Sequence, residues 1–165
     1  YGMGSTLDDV KNAAAAEMNI VCSAASIKAA EYLKEKFGTP YEIEYPQSCL
    51  PEEIVQKAYN FTDKNVLVIH NQTAADAVRK LITEKSGKCH CTSATFFMQK
   101  KELSQQSDFF LADESDLCDN VGDNYDVVIA DKTLRRVMKN FSGEFIDFPH
   151  FGLSGRLLQG ESEKI

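Results

Sequence analysis

Apolar and polar positions follow two alternating patterns along this chain. Short, nearly continuous apolar runs are typical of strands buried in a sheet, and longer segments with apolar residues at helical spacing lie between them. The runs predict strands near residues 18–22, 41–45, 65–70, 88–97, 109–112, 125–130 and 143–150, and the helical spacing predicts helices near 6–16, 27–37, 51–60, 73–85, 115–121 and 134–138. The alternation predicts an α/β, three-layer, mainly parallel, Rossmann-like fold.

Residues at the element boundaries support these predictions. Thr6 and Asp9 resemble a capping box, and Leu7, Val10 and Ala14 are expected on one face of a first helix that runs to about Ala16. Gly38 provides a stop for the second helix. The run NVLVIH is the clearest buried strand, and the helix after it is predicted to bury Ala74, Val78, Leu81 and Ile82.

The strand and helix order divides the chain into two parts. Residues 63–165 are predicted to form a Rossmann-like C-terminal lobe with right-handed crossovers. Residues 1–62 add a βαβ segment, which either extends the same sheet or forms a partial lobe of its own. Because the chain opens on Tyr1 rather than on an initiator Met, we expect it to be a C-terminal piece of a longer protein.

Composition narrows the classes of function. The net charge of -7 opposes binding to nucleic acid or to an anionic membrane. No apolar run approaches the roughly 20 residues of a membrane span. We therefore expect neither a nucleic acid nor a membrane as a partner. We also expect a cytoplasmic location. Five irregularly spaced cysteines indicate free thiols in a reducing compartment.

Nucleotide-binding motifs are missing from the sequence. No GxGxxG follows a predicted strand, and no GxxxxGK[ST] occurs. The sequence therefore predicts no NAD or ATP site in this chain.

For two histidine-containing segments, an ordinary structural role is an alternative to a ligand site. Side chains of a strand alternate between faces, so Cys89 and Cys91 are expected on one face and His90 on the other, which favours two semi-buried thiols over a metal site. His70 ends the strand NVLVIH. At this position the sequence is equally consistent with a ligand contact and with a helix-capping role.

Cys22 and His150 are the candidate metal ligands. Each follows a predicted buried strand, and Pro149 forces the backbone out of the sheet just before His150. The carboxyl ends of parallel strands border the crevice where ligands bind in α/β folds. A thiolate and an imidazole suit iron or another borderline metal. A buried structural thiol at Cys22 and a hydrogen-bonded structural histidine at His150 remain alternative interpretations. The residues alone predict a possible ligand crevice and leave the catalytic residues unknown.

Four motifs resemble one known family. GSTLDDVKNAAAAEMNIVC, KAAEYLKEKFGTPYEIEYP, NVLVIHNQTAADAVRKL and GEFIDFPHFGLSG are similar to the C-terminal part of nitrogenase component 1-type oxidoreductases. That family includes the nitrogenase molybdenum–iron protein and its relatives in chlorophyll and tetrapyrrole reduction. The resemblance covers most of the 165 residues.

The resemblance implies a site and a cofactor. Cys22 would correspond to the thiolate ligand of a terminal iron in an iron–sulfur-type metallocluster, and His150 to the imidazole at its opposite end. The pair Ser154 and Gly155, which follows the family's histidine, is expected among the cofactor-binding residues. Small residues surround Cys22 where nitrogenase proper carries bulkier ones, and the chain has no Trp, so the resemblance implies a nitrogenase-like reductase rather than a nitrogenase.

Three functions follow as expectations. The first is a reductase that acts at a metallocluster or tetrapyrrole with electrons from a nitrogenase iron protein-like, ATP-dependent iron–sulfur partner, within a homo- or hetero-oligomer. The second is a non-catalytic scaffold or carrier for a metallocluster. The third is a small-molecule-binding module that has lost the metal. In each case the chain alone is expected to be inactive, because the family's electron-relay cluster cysteines are absent.

Overall fold

The structure, a computed structural model, describes residues 5–121 and 124–156. The outermost residues of both predicted parts, 1–4 and 157–165, therefore lie outside the described residues. The strands are β1 (Asn19–Val21), β2 (Tyr41–Ile43), β3 (Asn65–Ile69), β4 (His90–Thr95), β5 (Phe109–Phe110), β6 (Val127–Ala130) and β7 (Glu144–Asp147). The α-helices are α1 (Leu7–Lys11), α2 (Ile27–Phe37), α3 (Glu52–Lys57), α4 (Gln72–Ser86), α5 (Glu114–Val121) and α6 (Phe151–Ser154).

Five strands form one parallel sheet in the order β5-β4-β3-β6-β7. The first strand of this series lies in the centre, where Val66 of β3 pairs with Cys91 on one side and with Val127 on the other. A parallel strand needs a crossover connection, and helices provide the longer ones. The predicted α/β, three-layer, parallel architecture is confirmed.

Each face of the sheet packs against its own layer of helices and turns. On one face, Val66 and Val68 of β3 contact apolar residues of α3 and α4. On the other face, Leu67 and Ile69 contact α5 and the turns after β6. All four are at most 1% exposed, as expected for a strand covered on both faces. The helix residues Ala74, Val78, Leu81 and Ile82 are buried as predicted.

The N-terminal strands do not join the large sheet. β1 and β2 pair with each other in parallel, with Val21 opposite Ile43, in a separate two-stranded sheet. Within the described residues, the two strands of this segment are therefore not part of the larger sheet. The small core of this unit consists of Val21, Ala24, Ile27 and Ala30.

Several element predictions need correction. The Thr6–Asp9 capping box is present, but Leu7 and Val10 are 80% and 52% exposed, so this side of α1 is largely open to solvent. The α-helical part of this segment ends at Lys11 and continues as a 3₁₀ turn, which is too short to place an apolar stripe against a core. The helix predicted near residues 134–138 is absent, and a 3₁₀ turn (Lys132–Arg136) capped by Asp131 lies there instead.

The strand order fixes where a ligand crevice belongs. From β3 the chain moves first to β4 and β5 on one side and then to β6 and β7 on the other. The connections therefore diverge between β3 and β6, and the crevice beyond the carboxyl ends at such a point is the usual binding place in open α/β sheets. His70 follows β3, Asp131 follows β6, and His150 lies shortly after β7. Among the described residues, no helix is long and apolar enough to cross a membrane.

Candidate functional site

A crevice of about 470 Å³ lies at these carboxyl ends. Aromatic and apolar side chains contribute much of its lining, and a few polar groups stand among them. This composition is typical of a site for a small molecule or cofactor. The lining includes Ser23, Tyr45, His70, Asn71, Phe97, Met98, His150 and Arg156.

His150 lies in the crevice with a fixed orientation. Its ring stacks on Phe97 at a centroid distance of 4.1 Å and an interplanar angle of 8°. The backbone N–H of Gly152 donates to its Nδ1 at 3.1 Å, so the neutral ring carries its proton on Nε2. Burial lowers the pKa of His150, with the carboxylate of Asp131 opposing the shift. The structure thus places the predicted His150 in the crevice as a neutral imidazole near pH 7.

A buried carboxylate holds the loop that carries His150. Asp131 is fully buried and accepts hydrogen bonds from the backbone N–H of His150 at 2.8 Å and from the hydroxyl of Ser154. Burial alone would raise the pKa of Asp131, but these donors and those of Thr133 lower it below its usual range. Arg156 closes the network at 3.0 Å from Asp131. The network keeps the carboxylate ionised and the loop in place.

Ser154 and Gly155 belong to this loop. The hydroxyl of Ser154 is occupied by Asp131, and Gly155 ends α6 with a left-handed backbone, φ 66°. Such a conformation favours glycine for the turn itself. Their predicted contact with a cofactor stays a prediction.

His70 is the second imidazole of the crevice and is only 5% exposed. Its ring stacks on Phe148 at 4.0 Å and lies 4.5 Å from the ring of His150. Its Nε2 is 3.1 Å from the carbonyl oxygen of Pro149. Burial, together with the charge that His150 would carry, lowers the pKa of His70 to about 3. Of the two roles that the sequence left open, helix capping belongs to the next residue, Asn71, whose side chain accepts from the backbone N–H of Ala74. A ligand contact of His70 stays a prediction.

Cys22 lies beside the crevice. It follows β1, is exposed, and lines a neighbouring cavity of about 330 Å³ between β1 and α2. The next residue, Ser23, lines both that cavity and the crevice of His150. The hydroxyl of Thr73, in α4, donates to the carbonyl of Cys22 and so ties this end of β1 to the larger lobe. Partial desolvation raises the pKa of the Cys22 thiol, and the nearby Cys49 adds to the rise.

The other cysteine and histidine candidates lie elsewhere. Cys89 and Cys91 pack against the same core, whereas His90 is exposed, as strand alternation predicts. Burial raises the pKa of Cys91 to about 12, which makes it an unreactive thiol at neutral pH.

Two residues of the crevice region were not predicted to act there. They are Asp131 and Phe97, the second of which was expected only as the end of the strand near residues 88–97. Both follow strands of the sheet, so their position after β6 and β4 was the available signal. The sheet order, which the apolar pattern does not specify, decides that they meet His150.

The candidate donors Cys22 and His150 do not line one common cavity. Within residues 5–121 and 124–156, no three or more His, Cys, Asp or Glu side chains are grouped to hold one metal ion. Cys22 and His150 instead border adjoining cavities that share Ser23. Thiolate and imidazole are donors that suit iron. A buried nitrogen of His70 also lacks a partner in the described part of the chain.

Comparisons with known proteins support the fold. No family model and no curated protein matches this sequence. A solved structure, Nitrogenase Cp1 at pH 6.5, is similar with a TM-score of 0.55 and 16% sequence identity over 90% of this chain. This chain spans 42% of the length of that chain. The likeness establishes a nitrogenase-like fold for this protein.

Proposed function

We propose that this chain is part of a nitrogenase-like oxidoreductase of the component 1 type. In this proposal, the crevice of His150 holds one side of an iron–sulfur-type metallocluster, and Cys22 binds it from the adjoining cavity. An ATP-dependent iron–sulfur reductase similar to nitrogenase iron protein supplies electrons, and the subunits form a homo- or hetero-oligomer. When bound, the cluster supplies one-electron chemistry that side chains alone cannot.

One observation carries the proposal. The histidine singled out by the sequence lies in a crevice at the carboxyl ends of the sheet, and Ser23, next to Cys22, lines the same crevice. The two residues are far apart in sequence, so their approach depends on the fold. The likeness to Nitrogenase Cp1, at 16% identity, supports the same reading of the fold.

The residues of this chain would bind and orient the group. Asp131 fixes the backbone of His150 through a 2.8 Å hydrogen bond, and Phe97 fixes its ring by stacking. The thiol of Cys22 must lose its proton to become a ligand, and iron favours that loss.

The test is the iron and acid-labile sulfide content of the full-length protein, purified without oxygen. Cys22→Ala and His150→Ala should each lose iron at unchanged folding. Cys118→Ala and His90→Ala, at exposed positions elsewhere, should keep it. Iron retained in both site variants would reject these residues as ligands.

Two further outcomes separate the alternatives. Reduction of a substrate with a reductase component distinguishes a reductase from a metallocluster scaffold or carrier. A protein that contains no iron in any preparation would instead be a small-molecule-binding module with this fold.

A further inference from the structure

His70 carries a buried nitrogen without a partner. It lines the crevice and is 5% exposed, and its Nδ1 is shielded from solvent with no hydrogen-bond partner among the described residues. A buried polar atom left unpaired costs about 1–3 kcal/mol, so such an atom calls for an explanation. An apolar residue could fill the same place against Phe148 without that cost.

The hydrogen bond to Pro149 determines which nitrogen of His70 carries the proton. A carbonyl oxygen can only accept, so the Nε2 that lies 3.1 Å from it is the protonated nitrogen. Nδ1 is then the nitrogen with the free lone pair. A proton on Nδ1 as well would leave a buried cation without an acceptor there, which burial opposes.

This arrangement is the one that metal-binding histidines adopt. A ligating histidine almost always donates its other ring N–H to a carbonyl, a carboxylate or water, and this bond fixes the tautomer and the ring orientation. His70 donates to the carbonyl of Pro149, and its ring is further held by the stack on Phe148 at 4.0 Å. The lone pair of Nδ1 needs no proton transfer to bind a metal.

His150 shows the opposite arrangement. Its Nδ1 already accepts from Gly152, and its Nε2 carries the proton. Binding through Nε2 would move that proton to Nδ1 and break the bond to Gly152. Of the two rings, only 4.5 Å apart, His70 therefore offers the readier lone pair.

We propose that His70 is an additional metal ligand of the crevice, binding a first-row transition metal such as iron, cobalt or zinc through Nδ1. The inference rests on the proposed function, because it adds a ligand to the same site. Neutral imidazole suits these metals. Because Nδ1 is shielded, the crevice lining beside it must move to admit the metal.

The test uses Co²⁺ and Zn²⁺ as probes on the purified chain without oxygen. Co²⁺ should give a visible d–d spectrum that reports nitrogen ligation. His70→Phe, which keeps the stack on Phe148, should weaken Co²⁺ binding at least tenfold. His90→Phe, at the exposed histidine of β4, is the matched control and should bind as the wild type does.

A second measurement does not depend on any variant folding. In ¹⁵N spectra of the wild-type chain, Zn²⁺ should shift the Nδ1 resonance of His70 and leave its Nε2 protonated. Unchanged Co²⁺ binding in a folded His70→Phe variant, an unmoved His70 resonance, or no metal binding by the wild type would overturn the inference.

Failure of this inference is distinguishable from failure of the proposed function. If full-length protein loses iron in Cys22→Ala and His150→Ala but keeps it in His70→Phe, His70 is not a ligand and the proposed function stands. If the full-length protein contains no iron in any preparation, the proposed function fails, whether or not the chain binds Co²⁺.

Discussion

At the scale of single residues, His150 is held by neighbours that act on different atoms. Asp131 accepts from its backbone N–H, Gly152 donates to its ring, and Phe97 stacks on the ring face. None of these contacts uses Nε2, which carries the proton of the neutral ring. The orientation of the crevice imidazole thus depends on a loop that a carboxylate from another strand holds in place.

Gly152→Ala should disturb this stack without breaking a hydrogen bond. A Cβ at this position would lie 3.2 Å from rings of both His150 and Phe97, so the two must shift by a few tenths of an ångström. We expect a small loss of stability, below about 1 kcal/mol, and a clear change in the His150 ring resonances.

Gly143→Ala provides the contrast. Its Cβ would lie 2.5 Å from the backbone oxygen of Asp126, which cannot move as a side chain does. Urea unfolding should show a loss of about 1–3 kcal/mol, with the His150 resonances unchanged. Equal losses in the two variants would contradict this distinction.

The buried ring of His70 should make stability depend on pH. Its pKa is about 3 in the folded chain against an ordinary value of 6.5, so between these values the unfolded chain binds a proton that the folded chain does not. Stability therefore falls as pH drops from about 6.5 towards 3, and between pH 7.5 and 5 the loss from this group is roughly 2 kcal/mol.

Urea unfolding at the two pH values checks this prediction. His70→Phe should lose about 2 kcal/mol less than the wild type over that interval. His90→Phe, an exposed control, should follow the wild type. An equal loss in His70→Phe and the wild type would mean that His70 is protonated in the folded chain.

At the scale of elements, α4 is joined to the loop before β5 by a buried ion pair. Arg79 donates to Asp108, and their side chains are 8% and 2% exposed. Asp108 also accepts from the backbone N–H groups of Ser93 and Gln105 at 2.9 and 2.8 Å. One carboxylate thus connects a helix, a strand and a loop on the same side of the sheet.

Asp108→Ala should lower the free energy of unfolding by about 3–5 kcal/mol, because it leaves the buried charge of Arg79 without its main partner. Thermal or urea unfolding measures this change. Asp8→Ala removes an exposed pair with Lys11 and should leave stability unchanged. Similar effects of the two substitutions would contradict the buried character of the Arg79 pair.

The elements also show what the sequence could predict. β3 and α4 were predictable, because their apolar positions repeat at strand and helix spacing over enough residues. α1 was predicted to run to about Ala16 but ends at Lys11, because local capping and spacing do not reveal whether a core lies beneath a helix. The sequence left open whether β1 and β2 extend the larger sheet or form a unit of their own, since apolar spacing does not specify strand order.

The parts of the site also differ in whether the local sequence could predict them. The place of His150 followed from Pro149, which must end the strand before it. The contacts of His150 with Phe97 and Asp131 depend on β4 and β6 lying on opposite sides of β3. That arrangement is a property of the whole sheet, so no local pattern encodes it.

At the scale of the whole molecule, the two sheets differ in the size of the apolar core that covers them. β1 and β2 rest on a small core, and Leu7 and Ile20 of this unit are 80% and 52% exposed. The five-stranded sheet is buried on both faces. We expect the N-terminal unit to open locally before the large sheet does.

Hydrogen exchange tests this expectation. Amides of β1 and β2 should exchange at least about tenfold faster than those of β3 and β6, a difference in opening free energy of about 1.4 kcal/mol. The same sample provides both sets of amides, so each serves as the other's control. Equal protection would show that the two sheets unfold as one unit.

The most direct test of the metallocluster crevice is an anomalous difference map at the iron absorption edge, from crystals of the full-length protein grown without oxygen. Iron peaks are expected in the crevice beside His70 and His150, extending towards Cys22. Iron located elsewhere, for example at Cys89 or Cys118, or an iron-free crevice in iron-containing crystals, would contradict the proposed site.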